Sequence, residues 1–106
     1  MRDRRNQTRS KTDQGRRDAA QALAVGALAF LAAEPERIGR FLAETGIGPE
    51  AIRAAAREPQ FLAGVLDHLS GNETLLVAFA QHAAVEPIEI DRAREALGGI
   101  WERDLP

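Results

Sequence analysis

Residues 38–55, IGRFLAETGIGPEAIRAA, and residues 76–93, LVAFAQHAAVEPIEIDRA, read as one helix–turn–helix unit written twice without a gap, 38 positions apart. Ile38 aligns with Leu76, Phe41 with Phe79, Ile47 with Val85, Pro49 with Pro87, Ile52 with Ile90 and Ala55 with Ala93. In each copy an apolar helix leads through a short turn to a proline and then to a second apolar face. Two origins fit: an internal duplication, or coincidence between two helical hairpins that share apolar positions. The paired prolines and the turn pair Ile47 and Val85 exceed what any two hairpins have in common. Two units are too few for a solenoid, which typically needs three or more repeats. The expected architecture is therefore all-α, a compact bundle of five to six short helices with a possible pseudo-repeat of helical hairpins.

Working outward, four prolines punctuate the chain at Pro35, Pro49, Pro59 and Pro87. Each suits the first position of a helix, where the missing N–H has no partner to lose. Glu34, Glu36, Glu50, Glu58 and Glu86 stand beside them, and negative charge at a helix N-terminus is favourable. These signals place helices at about 35–45, 49–57, 59–70 and 87–97. A fifth starts at the N-cap residue Asn72, followed by Glu73. Gly46, Gly71 and Gly98 mark helix stops. The apolar residues in every segment recur at three to four positions, as in Phe61, Leu62, Val65, Leu66 and Leu69, and nowhere alternate as in a strand.

The first helix is set at about Asp18 to Ala33, because Pro35 disfavours helical geometry in the residue before it. Leu23, Ala27, Phe30 and Leu31 share one face, and the opposite face is also small and apolar, which points to a central position. The twin arginines Arg16 and Arg17 before this Ala-rich run resemble a secretion signal. Asp13 and Asp18 interrupt the basic region, the run is weakly hydrophobic, and it ends at a proline boundary, so it is read as a helix of the bundle. It is also too short for a membrane span, which needs about 20 residues.

At 106 residues the chain makes one domain, which buries roughly 60–70% of its surface. Its large apolar anchors are few. Phe30, Phe41, Phe61 and Phe79 fall one each in four helices, which predicts one contiguous core. With no cysteine there is neither a disulfide framework nor thiolate chemistry, which fits the cytoplasm. Charge is uneven: residues 1–17 carry about +5 and the remainder about −7, within a net charge of −2. Residues 1–17 lack apolar side chains after Met1 and are expected to form a disordered basic arm. The bundle is expected over 18–99 and a C-terminal tail over 100–106.

The stretch from Ala27 to Gly99 resembles a family of short, uncharacterised helical proteins of alphaproteobacteria, a domain of unknown function. The segments that carry the resemblance are ALAFLAAEPER (27–37), RFLAETGI (40–47), FLAGVLDHL (61–69), ETLLVAFA (73–80) and ALGG (96–99). The resemblance implies no activity. It does imply that the first helix belongs with the second, and it leaves the basic arm outside the pattern.

The densest polar cluster is Asp67-His68 with Asn72 and Glu73 close behind. An acid–base or metal site there would need these groups to converge. Neighbouring helical residues point about 100° apart, Asn72 has a capping role, and Glu73 suits the helix dipole. The cluster is therefore expected to be structural, with Asp67, His68 and Glu73 as possible partner-binding residues. His68 borders the core face. The other histidine, His82, is expected roughly 15 Å from it, too far to share a metal, and no zinc motif is present. The turn GIG (46–48) follows no strand and is no phosphate loop. Ser70 has no base in clear reach.

The segment FLAETGIGPEAIR (41–53) has the spelling of a DNA-reading helix–turn–helix. Its second helix would set Arg53 and Arg57 against Glu50 and Glu58. The second copy sets Arg92 and Arg94 against Glu89, Asp91 and Glu95. Neither offers the positive surface that phosphate contact requires. The arm is the better nucleic-acid candidate, through Arg2, Arg4, Arg5, Arg9, Lys11, Arg16 and Arg17, although it has no aromatic to stack on a base; otherwise it is a solvated tail. Trp101, beyond Gly98-Gly99, either folds back on the bundle or stays exposed as an anchor for a partner. No catalytic residue, metal or cofactor is expected. The expected role is a small non-catalytic protein-interaction module, with a nucleic-acid accessory protein acting through the arm as the alternative. The oligomeric state is left open.

Overall fold

The computed structural model describes the backbone of residues 2–103 and the side chains of residues 14–98. Six α-helices follow in order: α1 (Arg2–Ala32), α2 (Pro35–Thr45), α3 (Ile52–Ala55), α4 (Pro59–Ser70), α5 (Glu73–Ala83) and α6 (Pro87–Arg103). A 3-10 turn, Pro49–Ala51, leads into α3. The described residues contain no strand. The prolines start these elements as their fixed φ dictates: Pro35 and Pro59 open α2 and α4, Pro87 opens α6, and Pro49 opens the 3-10 turn. At the head of α5 the Asn72 side chain accepts from the Leu75 N–H at 3.1 Å.

The 38-residue register reaches further than the two hairpins first suggest. Residues 34 and 72 are both extended N-caps, and α2 and α5 have the same length. They end in the same way, at Gly46 (φ 73°) and Ala84 (φ 57°), which are the left-handed residues among those described. The ends of α1 and α4, Ala32 and Ser70, stand 38 apart as well. Burial follows the same register. Ala24, Ala27, Leu28 and Leu31 of α1 are buried, and so are their counterparts Leu62, Val65, Leu66 and Leu69 of α4. Each half is thus three helices: the last three turns of α1 with α2 and α3, then α4 with α5 and α6.

Contacts between the halves are exchanged reciprocally. Phe30 packs on Phe79, with ring centroids 5.4 Å apart, and His68, the counterpart of Phe30, packs on Phe41, the counterpart of Phe79, at 5.2 Å. Phe30 also meets His82 at 5.2 Å, while His68 meets Glu44, the counterpart of His82. Position i touching j while j touches i is the mark of a two-fold relation, here internal to one chain. Phe41 and Phe79 are buried and Phe30 and Phe61 pack against the same cluster, so the four rings do belong to one core.

The halves part company in their third helix. Pro59 forces Glu58 into extended geometry (φ −95°, ψ 122°), and α3 stops at Ala55 after a single turn, short of the helix expected to reach about 57. With no such boundary ahead of it, α6 runs on across α1 and α4 and buries Ile90, Ala93 and Leu97. It also passes through Gly98, where a stop was expected. A helix already nucleated and packed over its first three turns can carry an unfavourable glycine, which costs about 1 kcal/mol. The side chain of Trp101 lies outside the described residues, and with it the question of its packing.

At the other terminus the helical backbone of α1 begins at Arg2, well ahead of the start expected near Asp18, and runs through the segment assigned to a disordered arm. Arg, Gln and Lys propagate a helix that is nucleated elsewhere. Every side chain from Gln14 to Ala19 is exposed, so these six residues are not packed against the bundle. Arg2, Arg4, Arg5, Arg9 and Lys11 fall outside the described side chains. α1 packs against α2, α4, α5 and α6, as a central helix should, yet it keeps one face open.

The α5 terminus yields a direct prediction. Ala84 N–H donates to Gln81 O and Val85 N–H to Ala80 O, the Schellman pattern, which favours glycine at the left-handed residue. A β-carbon there is strained by about 1–2 kcal/mol. Ala84→Gly is expected to stabilise the protein by about 0.5–1 kcal/mol after the added entropy of the unfolded chain is subtracted. Thermal unfolding should show it as a rise of about 3–6 °C.

Candidate functional site

The polar cluster at the α4–α5 end divides between two neighbours. Asp67 and His68 are adjacent on α4, and the helical turn sends them to different helices. The Asp67 carboxylate is 72% exposed and accepts from Arg94 Nη1 of α6 at 3.4 Å. Arg94 Nη2 lies 3.8 Å from Asp91 Oδ1, which also accepts from the Ser70 hydroxyl at 3.4 Å. The buried Arg94 Nε has no partner. Together these groups tie the last turn of α4 to the first turns of α6.

His68 turns the other way. Its side chain is 8% exposed, lies edge-on against Phe41, and places Nδ1 2.6 Å from Glu44 Oε2 of α2. This contact and the Phe41 ring together fix the orientation of the imidazole. Glu73 stands in the first turn of α5, exposed, where its charge complements the helix dipole.

Asp67 and His68 are therefore neighbours in sequence whose side chains meet different helices, α6 and α2. Among the described residues no group of three His, Asp or Glu side chains is placed to hold a metal. His82 is occupied elsewhere, against Phe30, whose ring also carries the Arg37 guanidinium 4.4 Å from its centroid. Arg16 and Arg17 are exposed on the leading part of α1. No helix among the described residues is long and apolar enough to cross a membrane.

Sequence reasoning missed the partners Glu44, Arg94 and Asp91. The signal for Glu44 lay in the repeat: Phe30 and His68 are equivalent positions, as are Glu44 and His82, so a contact from 30 to 82 implies one from 68 to 44. Nothing local pointed to Arg94. The two ion pairs of Arg94 are partly exposed, and each is worth about 0–1 kcal/mol. Asp67→Asn is accordingly expected to change the unfolding free energy by less than about 1 kcal/mol in denaturant titration.

What the arrangement can do chemically is limited by this division. One histidine is fixed between an aromatic ring and a carboxylate, and the neighbouring aspartate faces solvent through an arginine. The surface left by α4 and α5 at this end is a set of exposed carboxylates, Asp67 and Glu73. Comparison with curated proteins and with solved structures gives no match. Residues 17–100, the helical body with the basic arm left out, match the model of a protein family of unknown function, DUF3572, and the chain belongs to that family.

Proposed function

We propose that this chain is a small non-catalytic protein-interaction module of the bacterial cytoplasm. The observation that carries the reading is the divergence of Asp67 and His68 into separate contacts with α6 and α2. It assigns their chemistry to holding the bundle and leaves exposed carboxylates as the outward feature of this end. The partner that suits Asp67 and Glu73 is a protein with a basic contact surface, and Trp101 is a further anchor in this reading. The resemblance to alphaproteobacterial proteins motivates the bacterial setting.

The test is crosslinking capture from the native cells, read residue by residue, with photoreactive residues at positions 67 and 73. Crosslinks to one partner that fall when Trp101→Ala or Glu73→Lys is introduced support the reading. Capture indifferent to these substitutions contradicts it.

The second reading, a nucleic-acid accessory protein, draws on the exposure of Arg16 and Arg17 at the leading end of α1, within a segment of about +5 charge. Phosphate contact of this kind weakens steeply with salt. Binding to an unstructured oligonucleotide that falls with salt and disappears on deletion of residues 1–17 supports it. Equal binding by the truncated chain, or none at low salt, contradicts it.

A further inference from the structure

We infer that the leading part of α1 binds a nucleic-acid duplex, along a strip of arginine positions that the helix brings to one side. The inference rests on the second reading above and names its ligand: paired rows of phosphates rather than a single strand.

The segment expected to form a disordered arm is helical from Arg2 onward. A coil presents its charges in every direction, whereas a helix assigns each one a side. Positions 2, 5, 9 and 16, all arginine, are separated by three, four and seven residues. At 100° per residue they fall within an arc of about 60°, a strip about 21 Å long at 1.5 Å per residue. Asp13 stands at its edge, and position 17 lies about 90° from its centre. On the far side Arg4 and Lys11 are set among Asp3 and Asp18, and those charges cancel. The positive charge of the segment is therefore one-sided, which solubility alone does not require.

The strip continues the packed seam of α1. Ala20, Ala24 and Ala27 follow position 16 at steps of four, four and three, and all three are buried. Arg16 is exposed. The seam thus changes from alanine to arginine where the bundle ceases to cover it.

The class of ligand follows from what the segment has and lacks. After Met1 its first apolar residue is Ala19. It therefore offers no aromatic to stack on an unpaired base and no apolar face to enter a membrane. A duplex offers dense phosphate charge at fixed spacing, about one per 1.7 Å of axis in B-form DNA. Its major groove is about 12 Å wide, so a straight strip of about 21 Å crosses the groove and reaches phosphates on both edges. A flexible single strand holds no such rows in place. DNA and RNA duplexes share this chemistry and differ in groove width.

The test is fluorescence anisotropy of the full-length chain in low salt with a short DNA duplex, an RNA duplex and an oligothymidine of equal length. The preferred duplex should bind at least tenfold more tightly than the single strand, and its identity distinguishes the two sources. Its affinity should fall with salt at a logarithmic slope of about −4. Arg5→Gln/Arg9→Gln should weaken it at least tenfold and reduce the slope by about 2. Arg4→Gln/Lys11→Gln removes the same charge off the strip and should weaken it less than threefold. Both variants should keep the helical circular dichroism spectrum. Equal losses from the two variants, or a single strand held as tightly as the duplexes, would overturn the inference and leave phosphate contact by the arm standing. Displacement of the duplex by polyglutamate at equal charge would overturn it in favour of an acidic protein partner. No binding to any of the three nucleic acids would overturn the second reading itself.

Discussion

Phe41→Ala and Phe79→Ala are each expected to lower the unfolding free energy by about 3–5 kcal/mol, and by amounts that agree within about 1 kcal/mol. Both rings are buried with relative exposure of 1%, and they occupy the same position in the two halves. Phe41 holds Phe61 and His68 of α4; Phe79 holds Phe30 of α1. Removing either ring forfeits its transfer free energy, leaves a cavity between α2 or α5 and the opposite half, and breaks aromatic contacts worth about 0.5–1.5 kcal/mol beyond their buried area. For a marginally stable domain of this size, with about 5–15 kcal/mol in total, either loss is a large fraction. Urea titration of both variants checks the size and the equality together. A cost near 1 kcal/mol at one site and 4 at the other would mean that the halves do not use this position alike.

The second large effect lies where the halves differ. Ile90→Ala is expected to cost about 2–5 kcal/mol, and Ile52→Ala about 1 kcal/mol. The residues are identical and occupy equivalent positions, but Ile90 of α6 is fully buried whereas Ile52 is only partly buried in the single turn of α3. The same substitution therefore isolates the effect of helix length on burial. Equal costs would contradict the contrast between a short α3 and a long, core-covering α6. Both variants can be measured by thermal and chemical unfolding.

The starts of the helices were legible because local chemistry determines them. Pro35, Pro59 and Pro87 fix φ at the first position, and Asn72 caps with its own side chain. The ends were less so. Gly46 stops α2 in the left-handed region as expected, but the equivalent stop of α5 falls on Ala84, a residue with no intrinsic preference for it. Gly98 looks like a terminus from its neighbours alone, and the packing of Ile90, Ala93 and Leu97 overrides it. The start of α1 was misplaced for a related reason: composition registers the absence of apolar anchors before Asp18, while helix propagation from the packed part depends on what lies beyond.

At the candidate site, the divergence of Asp67 from His68 could be read from the 100° step between helical neighbours. Their destinations could not, because Glu44 and Arg94 lie 24 and 27 positions away and are brought in by tertiary packing. The repeat held half of that information. Extending its register from α2 and α5 back into α1 and α4 pairs position 30 with 68 and 44 with 82, and the contact between His68 and Glu44 is then the image of the contact between Phe30 and His82. The basic segment illustrates the opposite limit: its charge is plain in the sequence, and no packing contact among the described side chains adds to it.

The reciprocal exchange of contacts is the centre of this account, and the two histidine rings report on it independently. A through-space proton spectrum of the full chain, with both rings assigned, is the most direct measurement. The structure predicts cross-peaks from the His82 ring to the Phe30 ring and from the His68 ring to the Phe41 ring, with comparable intensity since both centroid separations are 5.2 Å. A His68 ring close to Glu73 and far from Phe41, or a His82 ring without contact to Phe30, would contradict it.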